Sequence, residues 1–234
     1  MSFLRKVFNV FLSTLLLLTL FINCLTDSKF KKVYAPRLCS DDVNTRKEAI
    51  EAINRLGPEA KVAENDLIKL FKKDREDEVR RLAIEALGAI KADVSTKEVN
   101  QVFVLAMNDE CPFVRYSAIA VIEELEVIPV NLIPYLQKHL SDPDSLVRDV
   151  TMRSFQRMEK LGTQSLIGAL KFPDMRRSAA ITLGRLGKAG RLSGSDCKTV
   201  VEELKKIQES DINSEVKDAV DQALKAILGN ESKE

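Results

Sequence analysis

The sequence predicts an all-α fold, a right-handed α-solenoid of about six helical hairpins, behind an apolar N-terminal segment. Three observations carry that prediction. A motif of constant skeleton returns along the chain, as DEVRRLAIEALGAI at 77–90, CPFVRYSAIAVIEEL at 111–125, DSLVRDVTMRSFQRM at 144–158 and DMRRSAAITLGRLG at 174–187. Its apolar positions fall at helical spacing, and no stretch alternates convincingly with period two. The composition also suits helices packed through Ala, Leu, Ile and Val: 234 residues, 45% apolar, 6% aromatic and no Trp.

The N-terminus reads as an address. Arg5 and Lys6 precede an uncharged apolar run from Val7 to Ile22, the layout of a secretory signal. The run is shorter than the roughly 20 residues a spanning helix prefers. Cys24 closes it, where a bacterial lipoprotein signal would place its lipidated Cys, although Asn23 and Phe21 depart from that pattern. A Cys that merely ends an apolar run is the equal alternative. Lys29, Lys31, Lys32 and Arg37 follow, so Lys and Arg are roughly balanced about the run and an uncleaved anchor facing the cytoplasm stays open. The division expected is a signal peptide or membrane anchor at 1–26, a linker at 27–39, the repeat array at 40–228 and a disordered tail at 229–234.

Within the array, six segments align on a basic residue: Arg46, Arg80, Arg115, Arg148, Arg176 and Lys217. Three positions later stand Ala49, Ala83, Ala118, Thr151, Ala179 and Val220, mostly small. Seven positions later stand Ile53, Leu87, Ile122, Phe155, Leu183 and Leu224, and ten later Leu56, Ile90, Leu125, Met158, Leu186 and Ile227. Offsets of three, seven and ten share one face of a helix. Other apolar-patterned helices are expected between these, at 64–73, 98–107, 130–140, 164–171 and 197–207. Gly57-Pro58, Gly162, Gly187 and Gly190 are expected to stop helices, and Asp66, Asp74, Asp109, Asp142 and Asp174 to fall near starts or turns.

The skeleton D-x-x-V-R-x-x-A-x-x-A-L resembles the second helix of a HEAT repeat, particularly the short variety of phycobilin-lyase subunits. The resemblance spans about 40–228, is strongest at DEVRRLAIEALG, and weakens in the first and sixth segments, where Thr45 replaces Val and Lys217 replaces Arg. It implies hairpins that stack into one continuous core. It also implies that the aligned Arg is structural, pairing with Asp or carbonyl groups of neighbouring repeats as a ladder.

No catalytic residue is expected. His139 is the one His of the chain, too few for a multi-His metal site, and it is placed at a helix end where it would interact with the negative terminus. The di-iron deoxyhypusine hydroxylases, which resemble this fold, need several His-Glu pairs. The HEAT-like alkylpurine glycosylases use aromatic residues including Trp. No phosphate loop, nucleophile elbow, zinc-protease or dinucleotide motif occurs. No metal site, cofactor or small-molecule substrate is expected. Cys111 and Cys197 lie three repeats apart, too far for a disulfide, and read as small core residues.

Charge is segregated. Residues 40–144 hold 14 Lys/Arg against 21 Asp/Glu, whereas 148–191 hold 10 against three, a net of +7. Arg157 and Arg185 share the ninth offset in adjacent repeats, Lys160 and Lys188 the twelfth, and Arg153 precedes Arg157 by one helical turn. With Arg177 and Arg191 they form the candidate partner-binding set, two short rows on the concave face that second helices line in such arrays. Solubility alone is the equal alternative. The partner expected is an acidic segment of another protein, with the membrane contacted through the N-terminal segment. Nucleic acid is not expected, because the array from 39 onward carries 30 basic and 34 acidic residues and no aromatics beside the basic rows. The function expected is a non-catalytic scaffold, exported or membrane-tethered in the cell envelope. The alternative is an auxiliary, lyase-like or chaperone-like subunit of a protein-modifying enzyme.

Overall fold

The computed structural model describes residues 30 and 32–231, and among them every regular element is a helix. The signal or anchor segment expected at 1–26, with Cys24, lies outside the described residues. The helices are α1 (Ala35–Leu38), α2 (Val43–Leu56), α3 (Glu64–Lys73), α4 (Asp77–Ala89), α5 (Lys97–Met107), α6 (Pro112–Glu123), α7 (Ile133–Lys138), α8 (Ser145–Arg157), α9 (Glu159–Ala169), α10 (Pro173–Lys188), α11 (Gly194–Ser210) and α12 (Ser214–Glu231). Single 3-10 turns at Val130–Leu132 and His139–Ser141 flank α7. The chain divides into two compact units, residues 1–102 and 103–234.

In the first unit α4 packs on both α2 and α3. Asp42 caps α2 by accepting a hydrogen bond from the Thr45 N–H at 2.8 Å. The helix stops at Gly57, whose φ of 57° lies in the left-handed region that glycine tolerates. The part of the expected linker that is described is not a plain tether: α1 lies in it, and Phe30 and Leu38 are buried.

In the second unit α6 packs on α8, α8 on α10, and α10 most extensively on α12. The connection from α8 to α9 is a single residue, Met158, with φ −74° and ψ 3°. Gly162 permits this turn: a Cβ there would come within 2.1 Å of the Phe155 carbonyl oxygen. Gly162 and Gly187 were expected to end helices, but they stand inside α9 and α10 and serve close approach instead. Gly57 and Gly190 do lie at helix ends, both with positive φ. The last helix reaches Glu231, into the stretch expected as a tail.

The expected core face is present. All six residues at the third offset are buried, and at the seventh Ile53, Leu87, Ile122, Phe155 and Leu183 are fully so. The tenth offset is mixed: Ile90, Leu186 and Ile227 are buried, Leu125 and Met158 are half-buried, and Leu56, the last residue of α2, is 38% exposed. Cys39, Cys111 and Cys197 are free thiols, with Cys197 buried. Among the described residues no helix is long and apolar enough to cross a membrane.

Candidate interaction surface

The repeating unit is a pair of helices whose turn is organised by one arginine. Arg115, in the first turn of α6, donates from Nη1 to the carbonyls of Asp109 and Glu110 at 2.9 and 3.0 Å, fastening the turn that precedes its own helix. Its Nε and Nη2 reach the next repeat and donate to both carboxylate oxygens of Asp142, at 2.9 and 2.8 Å. Arg46 is bound in the same way, to Ser40 and Asp41 carbonyls and to Asp74 at 2.7 and 3.1 Å. Arg176 takes the Leu170 carbonyl at 3.0 Å and Asp211 at 2.7 Å. The aligned arginine is therefore structural at these positions, as the resemblance implies. Each Asp also accepts the N–H two residues on, as Asp142 does from Asp144 at 2.9 Å and Asp211 from Asn213 at 2.9 Å. One carboxylate thus shapes its own turn and ties it to the preceding repeat.

His139 completes the junction at Asp142. The ring is 4% exposed and its Nδ1 lies 2.9 Å from Asp142 Oδ2. It does end a helix, as expected, but it points inward, so it does not act as a solvated cation at a helix terminus. Burial pushes its pKa below the ordinary value, outweighing the carboxylate beside it. For Asp142 burial acts upward, but hydrogen bonds from Arg115, the Asp144 N–H and His139 win and hold the carboxyl below its usual range. Among the described residues no group of His, Cys, Asp and Glu could hold a metal ion.

The seven basic candidates are all exposed, but they are not equivalent. Arg153 reaches back to Glu123 at 3.4 Å. Burial opposes its charge, but Tyr116 and Glu123 outweigh that and raise its pKa. Arg177 pairs with Glu215 at 3.4 Å. Such half-exposed pairs contribute no more than about 1 kcal/mol. Arg157, Arg185, Lys160 and Arg191 make no ion pair with any described residue. Lys160 stands at the start of α9, beyond the turn at Met158, whereas Lys188 closes α10. The twelfth offset thus falls on different helices in the two repeats, because α8 is three residues shorter than α10. Arg191 follows the Gly190 turn.

What the second unit does bring together is Arg185 and Lys188, over a groove of about 260 Å³ between α10 and α12. Its lining is mostly small, Gly184, Ala219, Ala223 and Ala226, completed by Ile181 and Gln222. The smallness has a cause in packing. A Cβ at Gly184 would lie 2.8 Å from the Ala223 Cα, and one at Gly187 would lie 2.3 Å from Ile227 Cγ1. Two helices approaching this closely leave a shallow trough beside the contact, and the long side chains of Arg185 and Lys188 stand along it. The small residues of α12 were not singled out by the sequence reading. Ala219, Ala223 and Ala226 at spacings of four and three were the available signal.

Residues 64–156 match the family model of HEAT repeats. This segment is built of HEAT repeats. No curated protein matches the chain. Among solved structures, the crystal structure of an engineered protein is similar at 22% identity, covering 84% of this chain and 95% of that one, with a TM-score of 0.47. A designed armadillo repeat protein in complex with the peptide (KR)4 is similar at 18% identity, covering 83% and 98%, with a TM-score of 0.49. The matched segment holds the second, third and fourth aligned arginines, Arg80, Arg115 and Arg148.

Proposed function

We propose that this protein is a non-catalytic scaffold that holds an acidic segment of another protein along the basic helix faces of its fourth and fifth repeats. The observation that carries the reading is the groove between α10 and α12, where Arg185 and Lys188 stand over a floor of small residues. A main chain can lie close to Gly184, Ala219 and Ala223, while carboxylates beside it meet the two cations and the Gln222 amide donates to a backbone carbonyl. Arg157, exposed and without an ion pair among the described residues, extends the basic face along α8. The N-terminal layout supports a cell-envelope setting, with residues 1–26 exporting or tethering the chain and Cys24 as the site of lipidation.

The test uses a fluorescent peptide of alternating Glu and Ala. Binding at low salt that weakens as salt rises, and that disappears in the Arg157→Glu, Arg185→Glu double variant at unchanged helicity, supports the scaffold. Unaltered binding in that variant sinks it. The setting is checked by the intact mass of the protein from its native membrane fraction, beside Cys24→Ser. Loss of residues 1–23 with added acyl mass, abolished in the variant, supports lipidation at Cys24, and a full-length mass refutes it and means an uncleaved anchor.

A further inference from the structure

The arginine ladder has a missing rung. In the second unit Arg115 and Arg176 each take a carboxylate from the following repeat, Asp142 and Asp211. These aspartates stand six residues before the aligned basic position of their own repeat. In the fifth repeat that position is Leu170, which is buried at 2% exposure and has no carboxylate to offer. Arg148 therefore keeps only half of the usual set. Its Nη1 donates to the carbonyls of Asp142 and Pro143, at 2.6 and 3.0 Å, so the guanidinium is held in place. Its Nε and Nη2 meet no acceptor among the described residues, and neither Asp149 nor Asp174 pairs with it. It is half-exposed, so solvent or a ligand can reach the group.

Large apolar side chains are exposed where four helices of the second unit begin: Phe113 at 58% and Leu146 at 51% in the first turns of α6 and α8, and Phe172 at 55% and Ile212 at 100% just before α10 and α12. These turns lie along one edge, because α6, α8, α10 and α12 pack in succession and the Arg115–Asp142 and Arg176–Asp211 bonds join the turns at either end of the series. Single exposed apolar residues are ordinary, but one per successive repeat along a line is a surface that water disfavours. Leu146 stands two residues before Arg148 on α8, and Phe172 is the N-cap of α10, which packs on α8.

We infer that the turn edge of repeats three to six is a second docking surface, on which an extended segment of a partner protein lays apolar side chains over Leu146 and Phe172 and supplies to Arg148 the carboxylate that Leu170 cannot. The fixed half of Arg148 pre-organises the other half, so the fork of Nε and Nη2 receives a carboxylate without ordering a free arginine. The site differs in place and in chemistry from the groove over α10 and α12, and stands whether or not that groove binds anything.

The test is a selection of random twelve-residue displayed peptides on the intact protein. Recovered peptides should carry one Asp or Glu flanked by large apolar residues. A synthetic peptide of that consensus should lose about tenfold or more in affinity for Arg148→Gln. The same loss is expected for Leu146→Ser with Phe172→Ser, two exposed changes that leave the core untouched. The Arg157→Glu, Arg185→Glu variant should bind that peptide normally, which separates this surface from the groove. Peptides without an acidic residue, or equal binding by Arg148→Gln, overturn the inference. So does concentration-dependent self-association that the two Ser substitutions abolish, since a second copy of the chain would then be what the edge holds.

Discussion

Arg115 and Asp142 meet in two parallel hydrogen bonds of 2.9 and 2.8 Å across 27 residues of sequence, with side chains only 11% and 3% exposed. Removing one partner of a buried pair leaves the other charge uncompensated. Asp142→Ala should therefore lower stability by about 3 kcal/mol or more, since Arg115, His139 and the Asp144 N–H all lose their acceptor. Urea unfolding followed by circular dichroism checks this, and a loss below 1 kcal/mol would show the junction to be ornamental.

Arg148 supplies the contrast. It holds carbonyls but no carboxylate among the described residues, so Arg148→Gln should lower stability by no more than about 1 kcal/mol. Arg115→Gln should cost several times as much. Parallel melts of the two variants decide the point, and equal losses would mean that the turn carbonyls, not the Asp rung, carry the energy.

Protonation of the same junction sets a pH dependence. His139 has a folded pKa pushed below the ordinary value of about 6.5 by burial. The unfolded chain therefore takes this proton first as pH falls. The neutral ring's contribution is fully present above about pH 6.5 and declines from there down to the lowered folded pKa. Asp142 adds a second loss at lower pH. Its contribution is present above the unfolded value of about 3.9 and disappears as pH falls through its lower folded pKa. His139→Gln should flatten the melting temperature between about pH 7 and the first inflection, leaving the acid limb unchanged. An unaltered upper limb in that variant would place the proton uptake elsewhere.

Two glycines should respond in opposite directions to the same substitution. Gly168→Ala in α9 adds a Cβ 3.7 Å from Gln137 Nε2, ordinary contact, and should gain about 0.5–1 kcal/mol by removing glycine from a helix interior. Gly184→Ala in α10 drives a Cβ to 2.8 Å from the Ala223 Cα. It should lose about 1–3 kcal/mol through overpacking and alter the floor of the groove. Thermal melts test both, and a stabilised Gly184→Ala would mean that α10 and α12 separate readily.

Several features of this junction were already present in the sequence without being legible there. Asp74, Asp109, Asp142 and Asp211 all stand six residues before the aligned basic position, and Leu170 is the break in that series. An alignment extended upstream of the basic residue finds the register. The resemblance implies pairing between neighbouring repeats, but neither it nor the alignment reveals that each aspartate receives the arginine of the repeat before it. The basic rows show the opposite limit. Equal offsets placed Lys160 and Lys188 together, but the turn at Met158 put them on different helices.

The sequence by itself determined the repeat, the helices and the buried positions at the third and seventh offsets. The reason is that 3.6-residue periodicity fixes which side chains share a face wherever a helix persists. The tertiary structure alone decided that His139 turns inward, that Gly184 and Gly187 are small because α12 lies against them, and that Arg148 meets no carboxylate among the described residues. Each of these is a distance between atoms of different repeats. Such distances are set by how helix surfaces interlock, and spacing along one chain carries no direct record of them.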